Sequence, residues 1–192
     1  MILSDSQIRT KLQEWSLNLK TDSHHDVYSQ IGPASIDIRL WHNFKIFKRT
    51  KITAIDPRDP YTLDGMTERI TVSDGDYFML HPGQFVLWVT LETLTLPYDL
   101  VARCEGRSSL WRLWLIIHST AGFIDPWFSG TITLEITNIN EVPIKLYPGM
   151  RIWQFAFETI AGTVDVPYDQ RKWSKYMNQT EPQESKIHED QD

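Results

Sequence analysis

The sequence is poor in the features that cross-link a chain or anchor it in a membrane. Cys104 is the only cysteine, which excludes a disulfide framework and a cysteine-rich zinc site. No apolar run approaches the roughly 20 residues of a membrane span, and no basic-then-apolar leader stands at the start. We therefore expect a soluble, cytoplasmic protein without a membrane partner.

Basic residues are also fewer than acidic residues. Lys and Arg number 19 against 25 Asp and Glu, so the formal net charge is −6. A nucleic-acid-binding surface is normally basic, and this balance argues against nucleic acid as the main partner. A local arginine cluster can still hold a small anion against the overall sign.

Helical periodicity is confined to the start of the chain. Ser4 and Gln7 form a capping box, and Ile8, Leu12 and Trp15 fall on one helical face. These signals predict one short N-terminal helix that packs on the outside of a sheet.

The rest of the chain is dominated by short strands at roughly ten-residue spacing, which is typical of sandwiches and barrels. The fold class predicted is all-β, a distorted jelly-roll-like barrel with few other helical turns. The alternating segments are Ala34–Leu40, Ile70–Val72, Tyr77–Leu80, Phe85–Leu91, Leu100–Cys104, Ile132–Ile136, Ile144–Tyr147 and Arg151–Phe157.

The composition becomes polar after Tyr168. We predict a single domain over residues 1–179, followed by a disordered acidic tail over residues 180–192.

The chemistry is concentrated in Cys104–Asn138. Gly106 lets a backbone approach closely, and Arg107 and Arg112 can pair with phosphate. Ser108 and Ser109 lie between them and offer hydroxyl and N–H groups. Further along, Glu135 alternates with apolar residues in a strand, where a carboxylate is costly to bury without a purpose or a partner.

These motifs resemble the dCTP deaminase branch of the dUTPase-like superfamily. The matching runs are Gly106–Leu113, His118–Pro126, Ile132–Glu135, Leu146–Met150, Gln154 and the spaced tail residues Pro167, Tyr168, Lys175, Tyr176 and Gln179. Weaker matches lie upstream at His81–Gly83 and Val89–Glu92, so the resemblance covers nearly the whole chain.

The resemblance implies a homotrimer of β-barrel subunits with sites between subunits, and a magnesium–triphosphate ligand. It assigns Arg107, Ser108 and Ser109 to the phosphate-contacting turn and includes Leu110 among the substrate-binding residues. Asp125 would meet the 3′-hydroxyl of deoxyribose, and Phe128 would lie behind the sugar. Backbone groups of Thr133 and Leu134 would meet the base, and the triphosphate and tail-closure positions would be Gln154, Tyr168, Lys175 and Gln179.

A deaminase built on this chain would work without zinc. Most nucleobase deaminases carry H-x-E and P-C-x-x-C zinc motifs, which this sequence lacks. Glu135 is the candidate general base, which would take a proton from water attacking C4 of cytosine and return it to the leaving amine. The resemblance implies that Arg112 compensates charge nearby and that Ser108 and the Ala121 carbonyl hold the water. The alternative for Glu135 is a salt bridge in a subunit interface.

Members of the branch differ in their product. Some stop at dUTP, whereas others also hydrolyse the triphosphate and release dUMP and pyrophosphate. The loop over Thr120–Asp125 resembles the dUMP-forming members, and Gly122 is expected to leave room for a second water. The alternatives are a dUTPase and a non-catalytic nucleotide-binding regulator, and dUTP and dTTP are possible further ligands.

Glycine is scarce, whereas tryptophan is abundant. The 9 glycines among 192 residues fall below the average usage of about 7%, and the chain has 8 tryptophans. Most of these tryptophans stand where the family or local turn chemistry favours glycine. Our hypothesis is that the source organism reads UGA as glycine and that these codons were translated as Trp. The alternative is a genuinely tryptophan-rich variant. The positions are Trp15, Trp41, Trp88, Trp111, Trp114, Trp127, Trp153 and Trp173.

Overall fold

The computed structural model of the protein describes residues 1–48, 52–63 and 65–190. Its helices are α1 (Asp5–Gln13) and α2 (Ser108–Trp111), with three short 3-10 turns at Val27–Gln30, Tyr168–Gln170 and Ile187–Glu189. Its strands are β1 (Asn18–Lys20), β2 (Ile36–Phe47), β3 (Thr67–Thr71), β4 (Phe78–Leu80), β5 (Phe85–Thr90), β6 (Thr93–Thr95), β7 (Leu100–Gly106), β8 (Leu115–Ile117), β9 (Phe123–Ile124), β10 (Ser129–Gly130), β11 (Thr133–Asn138), β12 (Ile144–Leu146) and β13 (Arg151–Thr159). No helix in the described residues is long and apolar enough to cross a membrane.

Local signals in the sequence account for α1. The Ser4 side chain accepts a hydrogen bond from the Gln7 amide and the Gln7 side chain accepts one from the Ser4 amide, so the predicted capping box is present. Ile8 and Leu12 are buried in the core. Trp15 was wrongly placed with them, because the helix ends before it and its side chain is 78% exposed.

The main sheet has eight strands and curls into a half-barrel. Its strand order is β8-β11-β5-β2-β13-β7-β9, with β3 paired to the far end of β2. The prediction of a mainly β fold with a short N-terminal helix is therefore confirmed. Strand β13 lies inside the sheet and pairs with both β2 and β7.

The alternation within β2 separates an apolar face from a polar one. Ile36, Ile38 and Leu40 are fully buried, whereas Asp37 and Arg39 between them point to the other face. Burial of the apolar face fixes the strand register, because a one-residue slip would expose every buried side chain.

Acidic residues after Thr180 contact the barrel, and the disorder expected for residues 180–192 stays a prediction. Glu181 forms an ion pair with Arg69 at 2.9 Å, and Glu184 forms one with Lys45 at 2.7 Å. The acidic residues that suggested a solvated tail thus find basic partners on β2 and β3. Residues 191 and 192 lie outside the described residues, and the division of the chain at residue 179 stays a prediction.

The eight tryptophans fall into different environments. Trp15, Trp114 and Trp127 have φ values of 58°, 59° and 65°, in the left-handed region that favours glycine. Trp88 and Trp153 are instead fully buried in the core. The indole of Trp88 donates a hydrogen bond to the Trp41 carbonyl, whereas the buried Nε1 of Trp153 has no hydrogen-bond partner.

Candidate functional site

A cavity of about 640 Å³ opens over one face of β5 and β11. Because side chains alternate along a strand, Thr133 and Glu135 face this cavity while Leu134 between them is buried on the other side. The loop over residues 55–63 and the tail residues 185–188 form further walls. The predicted site residues that line the cavity are Ala121, Asp125, Phe128, Thr133, Glu135, Tyr168 and Gln179.

Glu135 is one of the acidic residues that line this cavity. Its side chain is 39% exposed, so it lies at the cavity surface and not among its apolar sequence neighbours. Oε2 of Glu135 contacts Nδ1 of His118. The carboxylate therefore already has a partner within its own chain, and His118 also lines the cavity.

His118 was not identified from the sequence as a site residue. Its ring is 8% exposed, with Nδ1 at the Glu135 carboxylate and Nε2 2.7 Å from the Ala121 carbonyl oxygen. Only the imidazolium carries an N–H on both nitrogens, so two acceptor oxygens favour the protonated ring. Burial of the ring opposes the charge, but Glu135 and Ala121 favour it more strongly, and the net effect raises the pKa of His118 above its usual value.

We expect the free energy of unfolding to depend on pH through His118. Because folding raises this pKa, the stabilisation is fully present below the unfolded value of about 6.5 and is lost as pH rises through the folded value. His118→Gln should flatten that decline in urea unfolding measured between about pH 6 and pH 9. His24→Gln, at an exposed position in a loop, should keep it. The same decline in wild type and His118→Gln would contradict an imidazolium at this position.

A loop and the tail meet at the end of the cavity where Asp125 lies. Nη1 of Arg171 lies 3.1 Å from Oδ2 of Asp125. The Tyr168 amide donates to the Pro126 carbonyl at 3.1 Å, and the Tyr168 ring packs edge-on against Phe128 at 5.6 Å. The segment after Pro167 thus fixes the loop that carries Asp125.

Gln179 closes the cavity from the tail side. It is 6% exposed, and its backbone oxygen accepts hydrogen bonds from the Thr131 amide and hydroxyl at 2.9 and 3.0 Å. Gly130 permits this approach, because a Cβ there would lie 3.1 Å from the Gln179 amide nitrogen and the φ of 146° disfavours other residues.

The predicted phosphate-binding residues lie elsewhere. Leu110 is buried and anchors α2, which leaves Ser108, Ser109 and Arg112 exposed on a turn at the end of β7. In the described part of the chain, the predicted site residues that do not line the cavity are Arg107, Ser108, Ser109, Leu110, Arg112, Leu134, Gln154 and Lys175. Lys175 instead forms an ion pair with Asp190 at 2.6 Å.

Gly122 has a different role from the one expected. A Cβ at this position would lie 2.8 Å from the backbone oxygen of Cys104, and the Cys104 amide donates to the Gly122 carbonyl at 2.7 Å. The missing side chain therefore allows a close approach of the loop to β7. The expectation that it leaves room for a second water in the cavity is wrong, because the side chain would point at β7 instead.

Comparison with known proteins assigns this arrangement to a family. The dCTP deaminase-like family profile matches residues 2–160. A Halobacterium salinarum protein named "dCTP deaminase, dUMP-forming" is 44% identical over 192 residues, which span 100% of this chain and 97% of the relative. A Dictyoglomus turgidum protein of the same name is 47% identical over 190 residues, which span 99% of this chain and 96% of the relative.

A solved structure is similar in fold. The crystal structure of 2′-deoxycytidine 5′-triphosphate deaminase from Agrobacterium tumefaciens superimposes with a TM-score of 0.64 at 26% identity. The match covers 83% of this chain and 46% of that chain. The family profile and the full-length relatives agree with the predicted resemblance, and the chain belongs to the dCTP deaminase-like family.

Proposed function

We propose that this protein is a dCTP deaminase that converts dCTP to dUMP, pyrophosphate and ammonia. The observation that carries the proposal is that Glu135, Ala121 and Asp125 line one cavity, on the strand and loop where the family resemblance requires them. The names of the full-length relatives support the same reaction. The protein would act in the cytoplasm.

Deamination on this scaffold uses Glu135 to move one proton. Its carboxylate takes a proton from water as the oxygen attacks C4 of cytosine, and the resulting carboxylic acid delivers that proton to the amine. The C4–N bond then breaks and ammonia leaves, and the second water proton passes from the C4 hydroxyl to N3, which gives the uracil carbonyl. His118 orients Glu135 and the Ala121 carbonyl, which holds the water.

The site is completed by a second copy of the chain. The turn that carries Arg107, Ser108 and Arg112 does not line the cavity of its own subunit. In a homotrimer the turn of one subunit would face the cavity of its neighbour, so that Ser108 and Arg112 reach the water and Arg107 reaches the phosphates. This division also explains why neither the turn nor the cavity of a single subunit carries the complete set of ligands.

Hydrolysis of the triphosphate is the second step. Water attacks the α-phosphate, the bond to the β-phosphate breaks, and pyrophosphate leaves. Magnesium held by the substrate phosphates would neutralise the charge of the leaving group. Magnesium usually meets nucleotide sites through substrate phosphates and few protein ligands, so it enters here with dCTP. No zinc takes part in the proposed mechanism.

Product analysis tests this function. With dCTP and magnesium, we expect dUMP, pyrophosphate and ammonia in equal amounts, with little free dUTP, and no turnover once magnesium is removed. A zinc-selective chelator should leave the rate unchanged. Accumulation of dUTP would identify a simple deaminase, and cleavage of dUTP alone would identify a dUTPase. Tight nucleotide binding without any product would identify a regulator.

A further inference from the structure

The outer face of the strands β2, β13 and β7 carries a group of charged and amide side chains. Gln154 on β13 pairs in register with Asp37 on β2 and with Glu105 on β7. Arg151 begins β13 and Arg107 directly follows β7. We call these five residues the anion face, because two members predicted to bind phosphate, Arg107 and Gln154, belong to it.

One carboxylate joins the two arginines of the anion face. Nη1 of Arg151 donates to Oδ2 of Asp37 at 3.3 Å, and Nε of Arg107 lies 3.7 Å from Oδ1 of the same residue. Nη1 of Arg107 also donates to the Arg151 backbone carbonyl at 3.1 Å. The guanidinium groups are thereby held side by side, while the side chains of Arg107 and Arg151 stay 37% and 35% exposed.

The charge of this face requires more than one arginine. Asp37 and Glu105 contribute two negative charges, and Arg107 alone would leave the face with one net negative charge. A triphosphate would be repelled from such a surface. Arg151 cancels the remaining charge. The neighbouring Arg39 adds a positive charge, although its Nε and Nη1 already donate to Gln30 and to the Gly149 carbonyl.

Gln154 presents a donor to the same space. Its Oε1 accepts a hydrogen bond from the Ser35 hydroxyl at 2.8 Å. Because the amide oxygen is engaged, the amide nitrogen remains to donate to an anion. The anion face thus offers two guanidinium groups and one amide nitrogen as donors to a bound anion.

We infer that Arg151 is a second phosphate-binding residue beside Arg107, and that Asp37 is a positioning residue that aligns both guanidinium groups. The inference rests on the proposed function in one respect, since the anion would be the triphosphate of dCTP bound in the cavity of a neighbouring subunit. Arg107 and Arg151 together can each offer a pair of parallel N–H groups to a different phosphate of the triphosphate.

Substitution of Arg151 tests the binding role. In the full chain, Arg151→Gln should raise the KM for dCTP and the inhibition constant of inorganic tripolyphosphate by about 10- to 100-fold, with little change in kcat. Arg151→Lys should recover part of the lost affinity, because lysine keeps the positive charge but lacks the paired N–H groups of the guanidinium. Arg103→Gln, which removes an arginine paired with Glu158 outside the anion face, should leave both constants unchanged. Circular dichroism melting of each variant reports whether it is folded.

Substitution of Asp37 separates positioning from simple repulsion. If Asp37 aligns the arginines, Asp37→Asn weakens tripolyphosphate binding although it removes a negative charge. Tighter binding by Asp37→Asn would overturn the positioning role. Unchanged tripolyphosphate inhibition in Arg151→Gln, with normal dCTP turnover by wild type, would overturn the binding role alone. Failure of wild type to turn over dCTP would reject the proposed function, and direct tripolyphosphate binding would then still decide the role of Arg151.

Discussion

Glu135→Gln is expected to abolish ammonia release from dCTP while nucleotide binding is kept. The amide keeps the shape of the side chain and can still hydrogen-bond in the cavity, but it cannot take a proton from water. Removal of a general base usually costs about 10²- to 10⁴-fold in rate. Coupled detection of ammonia measures the rate, and equilibrium binding of dCTP measures affinity under the same conditions.

The contact between Glu135 and His118 requires a control for stability. Glu135→Gln also removes the charge that favours the imidazolium, so the unfolding midpoint should be measured in parallel. Glu68→Gln, an exposed glutamate on β3, provides a matched strand substitution with no expected effect on rate. If Glu135→Gln lowers stability and turnover remains near normal, Glu135 is a structural ion-pair partner and the base lies elsewhere.

The substitutions Trp15→Gly and Trp114→Gly are each expected to stabilise the protein. Left-handed backbone costs an L-residue roughly 1–2 kcal/mol, which glycine does not incur. Trp15 and Trp114 are 78% and 55% exposed, so little packing is lost when the indole is removed. We expect each single variant to raise the free energy of unfolding by about 1 kcal/mol in urea titrations. At Trp127 the gain should be smaller, because its ring stacks on Tyr98 at 4.0 Å.

Two other tryptophans are controls for that measurement. Trp111 is also exposed but lies in α2, where glycine should cost about 1 kcal/mol. Trp88 stacks on Phe44 in the core, and its loss should cost about 3–5 kcal/mol in the chain as printed. If Trp15→Gly and Trp114→Gly lower the free energy of unfolding as much as Trp111→Gly does, the backbone no longer supports glycine as the natural residue at positions 15 and 114.

The coding hypothesis itself is decided by the gene. UGA codons at the eight positions would mean that the natural protein has glycine there, whereas UGG codons would end the hypothesis. The left-handed backbone at three positions supports glycine, as does the unpaired indole nitrogen of Trp153. The packing of Trp88 in the core supports tryptophan.

Sequence patterns predicted those helices and strands whose conformation is set by neighbouring residues in the chain. The capping box at Ser4 and the alternation around Glu135 and along Ile36–Leu40 each specify a conformation within a few residues, and α1, β11 and β2 follow from them. The short pair of β1 with β6 was not predicted, because three residues that pair across more than 70 positions leave no local period.

The candidate site divides in the same way. The residues taken from the family resemblance, such as Asp125 and Phe128, do line the cavity. His118 begins one of the runs that carry the resemblance, but only the fold shows that its ring contacts Glu135. The link from Asp37 to Arg151 spans 114 positions, and Glu184 meets Lys45 across 139, so neither pair could be identified from spacing.

The position of β13 between β2 and β7 has a consequence for synthesis on the ribosome. Both of its neighbours, β2 and β7, are made earlier and must wait with one unpaired edge until Arg151–Thr159 has emerged. The first residues wait as well, since the Leu3 amide donates to Phe157 and the Met1 carbonyl accepts from Thr159. Exposed strand edges favour pairing with other chains. We therefore expect the nascent chain to remain open to association until Arg151–Thr159 has left the ribosome and paired with β2 and β7.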